Sequence, residues 1–334
     1  MRNILRGRRS SDARAMLVAN VRPLLLRSAA ESTLRTYRQY FKVFASWCQI
    51  HQYRCVPAAA DTVALFLVDM AERYRPGTVV GLLNTIALAH RAAGQSFDRS
   101  QFDRLVQGIR RQHGTPPRQA PPITVAELRS MVAALPNTLQ DARDRALVVV
   151  GFAGALRSYE LVGLDVGTHT RDSTGTVAID PSGARIALHK TKGDQTGSGQ
   201  TKWLPRGGNP CPVEALEYWL MKARITSGPI FRPTTYGIVS CRRLAPQGVS
   251  RAVRRLMHLS ALRAGLTDEQ AKLRTAGYSG HSLRTGFVTS AVMAGVPNQD
   301  IAAHVGWKNT KYVFIYARQA EPLRNNPAQL ALSS

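Results

Sequence analysis

The chain has 334 residues, 44% of them hydrophobic and 20% charged, which is enough for two domains with cores of their own and too apolar for a disordered chain. Lys and Arg number 45 against 21 Asp and Glu, a formal net charge of +24, which favours a polyanionic partner over a basic but otherwise ordinary enzyme. No stretch approaches the ~18 apolar residues of a membrane span, and no amphipathic basic helix or anchor is evident, so nucleic acid is favoured over a membrane surface.

In chain order, residues 1–27 hold seven Arg and one Asp, and their short apolar runs are broken by Arg22 and Pro23. This segment reads as a basic flexible arm and not as a signal peptide. Cys48, Cys55, Cys211 and Cys241 form no close metal-ligand pair, so they read as reduced, mostly buried thiols of an intracellular protein with no metal centre.

Residues 28–113 should form a small bundle of four helices. Leu34, Tyr37, Phe41, Phe44 and Trp47 recur at steps of three and four, an apolar helix face whose ordinary use is core packing. Asp61, Thr78 and Ser100 are the expected N-caps of the next three helices, and Gly94 the stop of the third. The polar faces carry Arg35, Arg38, Lys42, Arg104, Arg110 and Arg111, a pattern suited to a DNA groove and equally to a solvated surface. Four prolines within residues 114–122 cannot continue a helix, so 114–123 is expected to be a linker. A second domain, 124–334, then opens with the capping box Thr124-x-x-Glu127. It should contain helices over 141–161, short strands at 176–180, 185–189 and 201–204, and helices again from Pro212, with 223–250 left as loop.

Three segments carry chemistry. His281 and Arg284 share a face of a helix that Ser279 can cap, so two phosphate-binding side chains lie beside a positive helix end. Downstream, Gly306 ends one helix, Trp307 offers an indole N–H, and Tyr312 and Tyr316 fall on one face of the next helix, where aromatic core is the ordinary reading. Arg157 and Glu160 interrupt an apolar stretch, where a charged pair is costly unless it is paired or functional.

Taken together, Arg157-x-x-Glu160, His281-x-x-Arg284, and Trp307 nine residues before Tyr316 resemble the tyrosine recombinase (phage integrase) family. Ala294-Gly-Val, Asn309 and the stretches Ser32–Cys48 and His90–Gly94 extend the likeness to about residues 28–332. Trp307 marks one branch of it, since most members carry His there. The resemblance implies a mainly α fold: a helical core-binding domain that clamps DNA, with Arg35, Arg38, Lys42, Thr78, Arg110 and Arg111 as candidate contacts, then a mixed, mostly helical catalytic domain with a small antiparallel sheet. It implies a C-shaped clamp on double-stranded DNA, two protomers on inverted half-sites, and a homo-tetramer joining two sites through an exchanged C-terminal helix near 321–332. It also implies a cytoplasmic, nucleoid-associated enzyme encoded by a bacterium, phage or plasmid, with no cofactor.

The chemistry that the resemblance implies is cleavage by Tyr316 as nucleophile, with Arg157 and Arg284 binding the phosphate, since guanidinium forks match its oxygens. His281 would accept or relay the tyrosine proton, Trp307 could only donate and pack, and Glu160 would orient Arg157 or His281. A lysine of a mobile β-hairpin turn would protonate the leaving 5′-oxygen: Lys192 is the first choice, Lys190 the second and Lys202 the third. The bond energy kept in the phosphotyrosyl ester removes any need for ATP. A type IB topoisomerase shares this chemistry, and a basic DNA-binding protein without catalysis is the other alternative. A covalent adduct separates the last from both enzymes, and recombination of paired sites separates recombinase from topoisomerase.

Overall fold

The computed structural model describes residues 31–114, 119–167, 169–170, 172–189 and 199–320, with helix 311–320 described at the side-chain level to Tyr316. The chain divides into two compact units between Arg118 and Gln119.

The first unit is all helical: α1 Glu31–Ile50, α2 Ala60–Arg73, α3 Pro76–Ala92 and α4 Asp103–His113, the last entered through a 3-10 turn at Ser100–Phe102. The aromatic stripe of α1 packs as core: Phe44 meets Phe66 edge-on at 4.9 Å, and the Trp47 indole donates to Asp69 at 2.8 Å. His90 is buried and ties α3 to the residues that lead into α2. Its Nδ1 donates to the Ile86 carbonyl and its Nε2 accepts the Ala58 amide, both at 2.8 Å. The expected caps fall differently. Ala59 and Arg75 stand at the N-cap positions of α2 and α3, which places Asp61 and Thr78 inside the first turns. Pro76, with its φ preset for the first helical position, starts α3 ahead of Thr78. Ser100 does not cap α4; its amide and hydroxyl both donate to Asp98.

The second unit begins with α5 Val125–Ala133, whose Thr124–Glu127 capping box is formed. Helix α6 Leu139–Ala153 follows and is buried almost throughout, from Asp141 to Gly151; α7 Ser158–Val162 is a single turn. Strands β1 Leu164–Val166, β2 Gly175–Asp180, β3 Gly183–Leu188, β4 Gln200–Pro205 and β5 Gly228–Pro229 form one sheet in the order β4-β3-β2-β1-β5. Strands β2, β3 and β4 make the antiparallel meander, and β1 joins in parallel to β2. Helix α8 Pro212–Lys222 packs on the core through Trp219. The stretch expected as loop, 223–250, contains β5, a small hairpin of β6 Thr234–Thr235 and β7 Ile238–Val239, and the start of α9 Gln247–Arg263. Two-residue strands are too short to show a period. Helices α10 Asp268–Thr275, α11 Gly280–Met293, α12 Asn298–Val305 and α13 Lys311–Ala320 complete the chain.

A buried ion cluster ties α6 to α9. Asp144, without solvent exposure, accepts from Arg143 at 2.6 and 2.8 Å and from Arg255 at 3.0 Å, and Arg255 also bonds Asp141. Removing one partner of such a cluster strands the others, so Asp144→Ala should cost about 3–5 kcal/mol, read as a lower urea midpoint at unchanged slope. A midpoint equal to wild type would show that water replaces the carboxylate. Among the described residues no helix is long and apolar enough to cross a membrane, and all four cysteines are free, with Cys48 and Cys211 buried, Cys55 half-buried and Cys241 exposed.

Candidate active site

Three segments distant in sequence meet at the N-terminus of α11. Ser279 caps that helix, its hydroxyl accepting the His281 amide at 3.3 Å. Gly280 is pressed between α7 and α9. A Cβ there would lie 2.3 Å from the Ser158 hydroxyl and 2.9 Å from Val249, so no larger residue can hold α11 at this distance.

Arg284 points from α11 into the protein and is only 2% exposed. Its Nη1 donates to the Ala155 carbonyl at 2.7 Å and its Nη2 to the Val305 carbonyl at 3.1 Å. Ala155 holds φ +46°, a conformation that few non-glycine residues adopt, in the turn between α6 and α7, and its carbonyl accepts the Arg284 guanidinium. The guanidinium carbon lies 5.3 Å from the centroid of the Trp307 ring. Burial, then the Arg157 charge, lowers the Arg284 pKa to about 10, which still leaves it a cation at neutral pH.

Arg157 precedes α7 with its side chain 26% exposed, and its Nη1 meets Glu160 Oε1 at 2.7 Å. The second Glu160 oxygen accepts the Arg157 amide at 2.8 Å, and Tyr159 donates to the first at 3.1 Å. Burial alone would push the Glu160 carboxyl up. The amide and guanidinium of Arg157, with Arg284 beyond, outweigh it and hold Glu160 below the usual carboxylate range. Glu160 is therefore held as an anion, bonded to both the amide and the guanidinium of Arg157.

The third segment turns at Gly306, which takes φ +80° to end α12; a Cβ there would sit 2.4 Å from Gln200 Oε1. Asn309 accepts the Lys311 amide at 2.8 Å and opens α13. Trp307 stacks on Tyr316 at 5.5 Å and 14°, and meets Tyr312 at 5.9 Å with a 44° tilt. Tyr312 is 47% exposed, while Tyr316 is half-buried. Desolvation raises the Tyr316 pKa, and Arg284, the Thr285 hydroxyl and Arg157 pull against it. His281 stays open to solvent at the helix end, yet enough protein lies beneath its ring to push its pKa down, with Arg284 and then Arg157 adding to the effect.

Arg157, Glu160, His281, Arg284, Trp307 and Tyr316 are thus brought to one place. Lys190 and Lys192 lie outside the described residues, as does the 321–332 segment. Lys202, ranked third among the lysines, is buried beside Arg284. Thr285 and His304 also reach the site, and neither had a sequence signal beyond its place on a helix. In the first unit Arg35, Arg38, Lys42, Arg110 and Arg111 lie on exposed helix faces, and Thr78 is half-buried.

Residues 122–322 match the phage integrase family, and the chain belongs to that family, the tyrosine recombinases. An integrase/recombinase xerD homolog of Selenomonas ruminantium is 33% identical over 312 residues, 90% of this chain and 86% of that protein. The recombinase Cre of Escherichia phage P1 is 23% identical over 302 residues, 87% of this chain and 85% of Cre. Among solved structures, a lambda integrase dimer bound to a COC′ core site superposes with a TM-score of 0.56 at 15% identity, covering 91% of this chain and 76% of that one. The Tn1549 transposon integrase in complex with circular intermediate DNA gives 0.56 at 16% identity, covering 90% and 95%. These two share the fold.

Proposed function

We propose that this tyrosine recombinase cleaves and rejoins double-stranded DNA at paired inverted half-sites through a 3′-phosphotyrosyl intermediate on Tyr316. The observation that carries the reading is the stack of Arg284, Trp307 and Tyr316, with a cation fixed by two backbone carbonyls next to a half-buried phenol. The phenol oxygen attacks phosphorus, the bond to the 5′-oxygen breaks, and the phosphate is carried as a tyrosyl ester. Arg157 and Arg284 offset the charge that builds on the non-bridging oxygens, and the Trp307 indole packs beneath them. His281 takes the phenol proton, and Lys192 supplies one to the leaving oxygen. A 5′-hydroxyl of the partner duplex then attacks the ester, with the proton transfers reversed.

Because His281 is held below its ordinary pKa, the free enzyme carries it neutral at pH 7, ready to accept a proton. On the acid side, cleavage should fail as pH falls through that lowered value. The acid limb of kcat/KM, which reports the free enzyme, should therefore lie below ~6.5, the ordinary histidine value, and an acid limb above it would contradict a neutral base.

The exposed arginines of α1 and α4, with Lys42, face DNA in this reading, and the 1–27 arm adds charge. Tetramer assembly would use an apolar groove lined by Phe152, Phe287, Ala291, Val296 and Ile301 as the seat for a neighbour's C-terminal segment, which carries Leu323, Leu330 and Leu332. Such an assembly would work in the cytoplasm on nucleoid DNA.

The test is to trap covalent complexes on a supercoiled pool of candidate DNA, sequence the trapped ends, and place two copies of that site on one plasmid. Excision or inversion between the copies supports recombination. Relaxed topoisomers with no exchanged product would instead establish a topoisomerase.

A further inference from the structure

The last turn of an α-helix leaves four carbonyls without helical partners, and all four of α12 are engaged. Ala302 accepts the Gly306 and Trp307 amides, Ala303 accepts the Gly306 amide and Gln200 Nε2, His304 accepts Lys202 Nζ, and Val305 accepts Arg284. Two of these donors, Gln200 and Lys202, stand two residues apart on the inward face of β4, while the neighbouring Trp203 is exposed. Lys202 is 2% exposed, which is unusual for a lysine without a carboxylate bound to it. Its ammonium lies at the negative end of α12, where a cation is favoured.

We propose that Lys202 is a positioning residue of the strand-transfer site: from β4 it fastens the end of α12, and so holds Val305 to Trp307 in place against Arg284. This role rests on the strand-transfer reading given above. Among the described residues, the charged and titratable groups around it are Arg284 from α11, Arg157 and Glu160 from the start of α7, and His304 from α12. The His304 ring is itself pinned, with Nε2 donating to the Ala153 carbonyl at 2.8 Å and the ring stacked on Phe287 at 4.6 Å. Lys202 therefore links β4 to the end of α12, beside the charges of Arg284, Arg157 and Glu160. Burial first, then Arg284 and Arg157, lower its pKa to about 7 against the pull of Glu160, so it is charged below neutral pH and loses the charge above it.

A lysine this close to the phosphate site could instead be the proton donor, and a leaving-group experiment separates the two roles. A nicked duplex is made with either oxygen or sulfur at the 5′ bridging position; a thiol, with pKa about 8.5, leaves without a proton. Lys202→Met and wild type are compared on both, after their melting temperatures and DNA affinities are matched. If Lys202→Met does not fold, Lys202→Gln takes its place. A positioning role predicts that both substrates slow by the same factor, roughly ten- to a hundredfold, the size of a lost charge-assisted hydrogen bond. It also predicts that kcat/KM of wild type falls above pH 7 and that the variant lacks this limb. Wild-type rates in the variant would overturn the proposal. So would recovery on the sulfur substrate alone, which would make Lys202 the acid. Failure of wild type to cut either duplex would overturn the strand-transfer reading itself, and this role with it.

Discussion

Replacing Arg284 by Ala should slow DNA cleavage about 10²–10³-fold, the loss seen when one preorganised oxyanion donor is removed, with half-site binding close to wild type. The expectation follows from how the side chain is held. A guanidinium has five N–H donors, and two of its nitrogens are spent on the Ala155 and Val305 carbonyls. Those bonds cost nothing at the moment of reaction, because they are made before DNA arrives. The remaining donors and the full charge stay available to a phosphate, and the Trp307 face limits where the group can turn. Arg284→Lys should be nearly as slow. A single ammonium cannot span both carbonyls, and a lysine at 2% exposure would sit in a place that already holds Lys202 near neutrality. Single-turnover cleavage of a nicked duplex measures both. Rates within a few-fold of wild type would mean that Arg284 is a structural strut and that Arg157 alone neutralises the phosphate.

Tyr316→Phe should abolish covalent attachment, while Tyr312→Phe should leave it within a few-fold of wild type. Both phenols lie on one face of α13, one turn apart, and both approach Trp307. Their surroundings differ. Tyr316 is stacked flat on the indole, half-buried, and feels Arg284, Arg157 and Thr285; Tyr312 is tilted and exposed. A buried phenol is a poor acid and so needs cations within reach, and Arg284 and Arg157 both act on Tyr316. Phe keeps the stack on Trp307, so loss of the adduct in Tyr316→Phe would report the oxygen and not the packing.

The site was legible where residues of rare type had to recur at fixed spacing. Arg157 and Glu160 stood out because charge interrupts an apolar run, and the structure explains it: Glu160 is buried and spends both oxygens on Arg157. The capping box at Thr124 was equally plain, since both partners lie within four residues. Asp61, Thr78 and Ser100 misled because a cap is chosen by the backbone entering the helix. Pro76 and Asp98 decided those two entries from positions outside the expected cap. Lys202 is inconspicuous in sequence for a related reason. In sequence it is one more lysine on a basic strand, and its burial depends on α12, a hundred residues on, which closes over it. The hairpin at 234–239 was hidden because two-residue strands have no alternation to read.

Tyr316 should carry the 3′ end of the cleaved strand as a phosphotyrosyl ester. Wild type, Tyr316→Phe and Tyr312→Phe would be incubated with a nicked duplex labelled at the 5′ end of the cleaved strand, then denatured and resolved on a gel. Label should move with protein for wild type and Tyr312→Phe, and none should for Tyr316→Phe although it still binds the DNA. Label that stays with protein in Tyr316→Phe, or protein linked instead to the downstream 5′ end, would contradict a 3′-phosphotyrosyl bond at Tyr316.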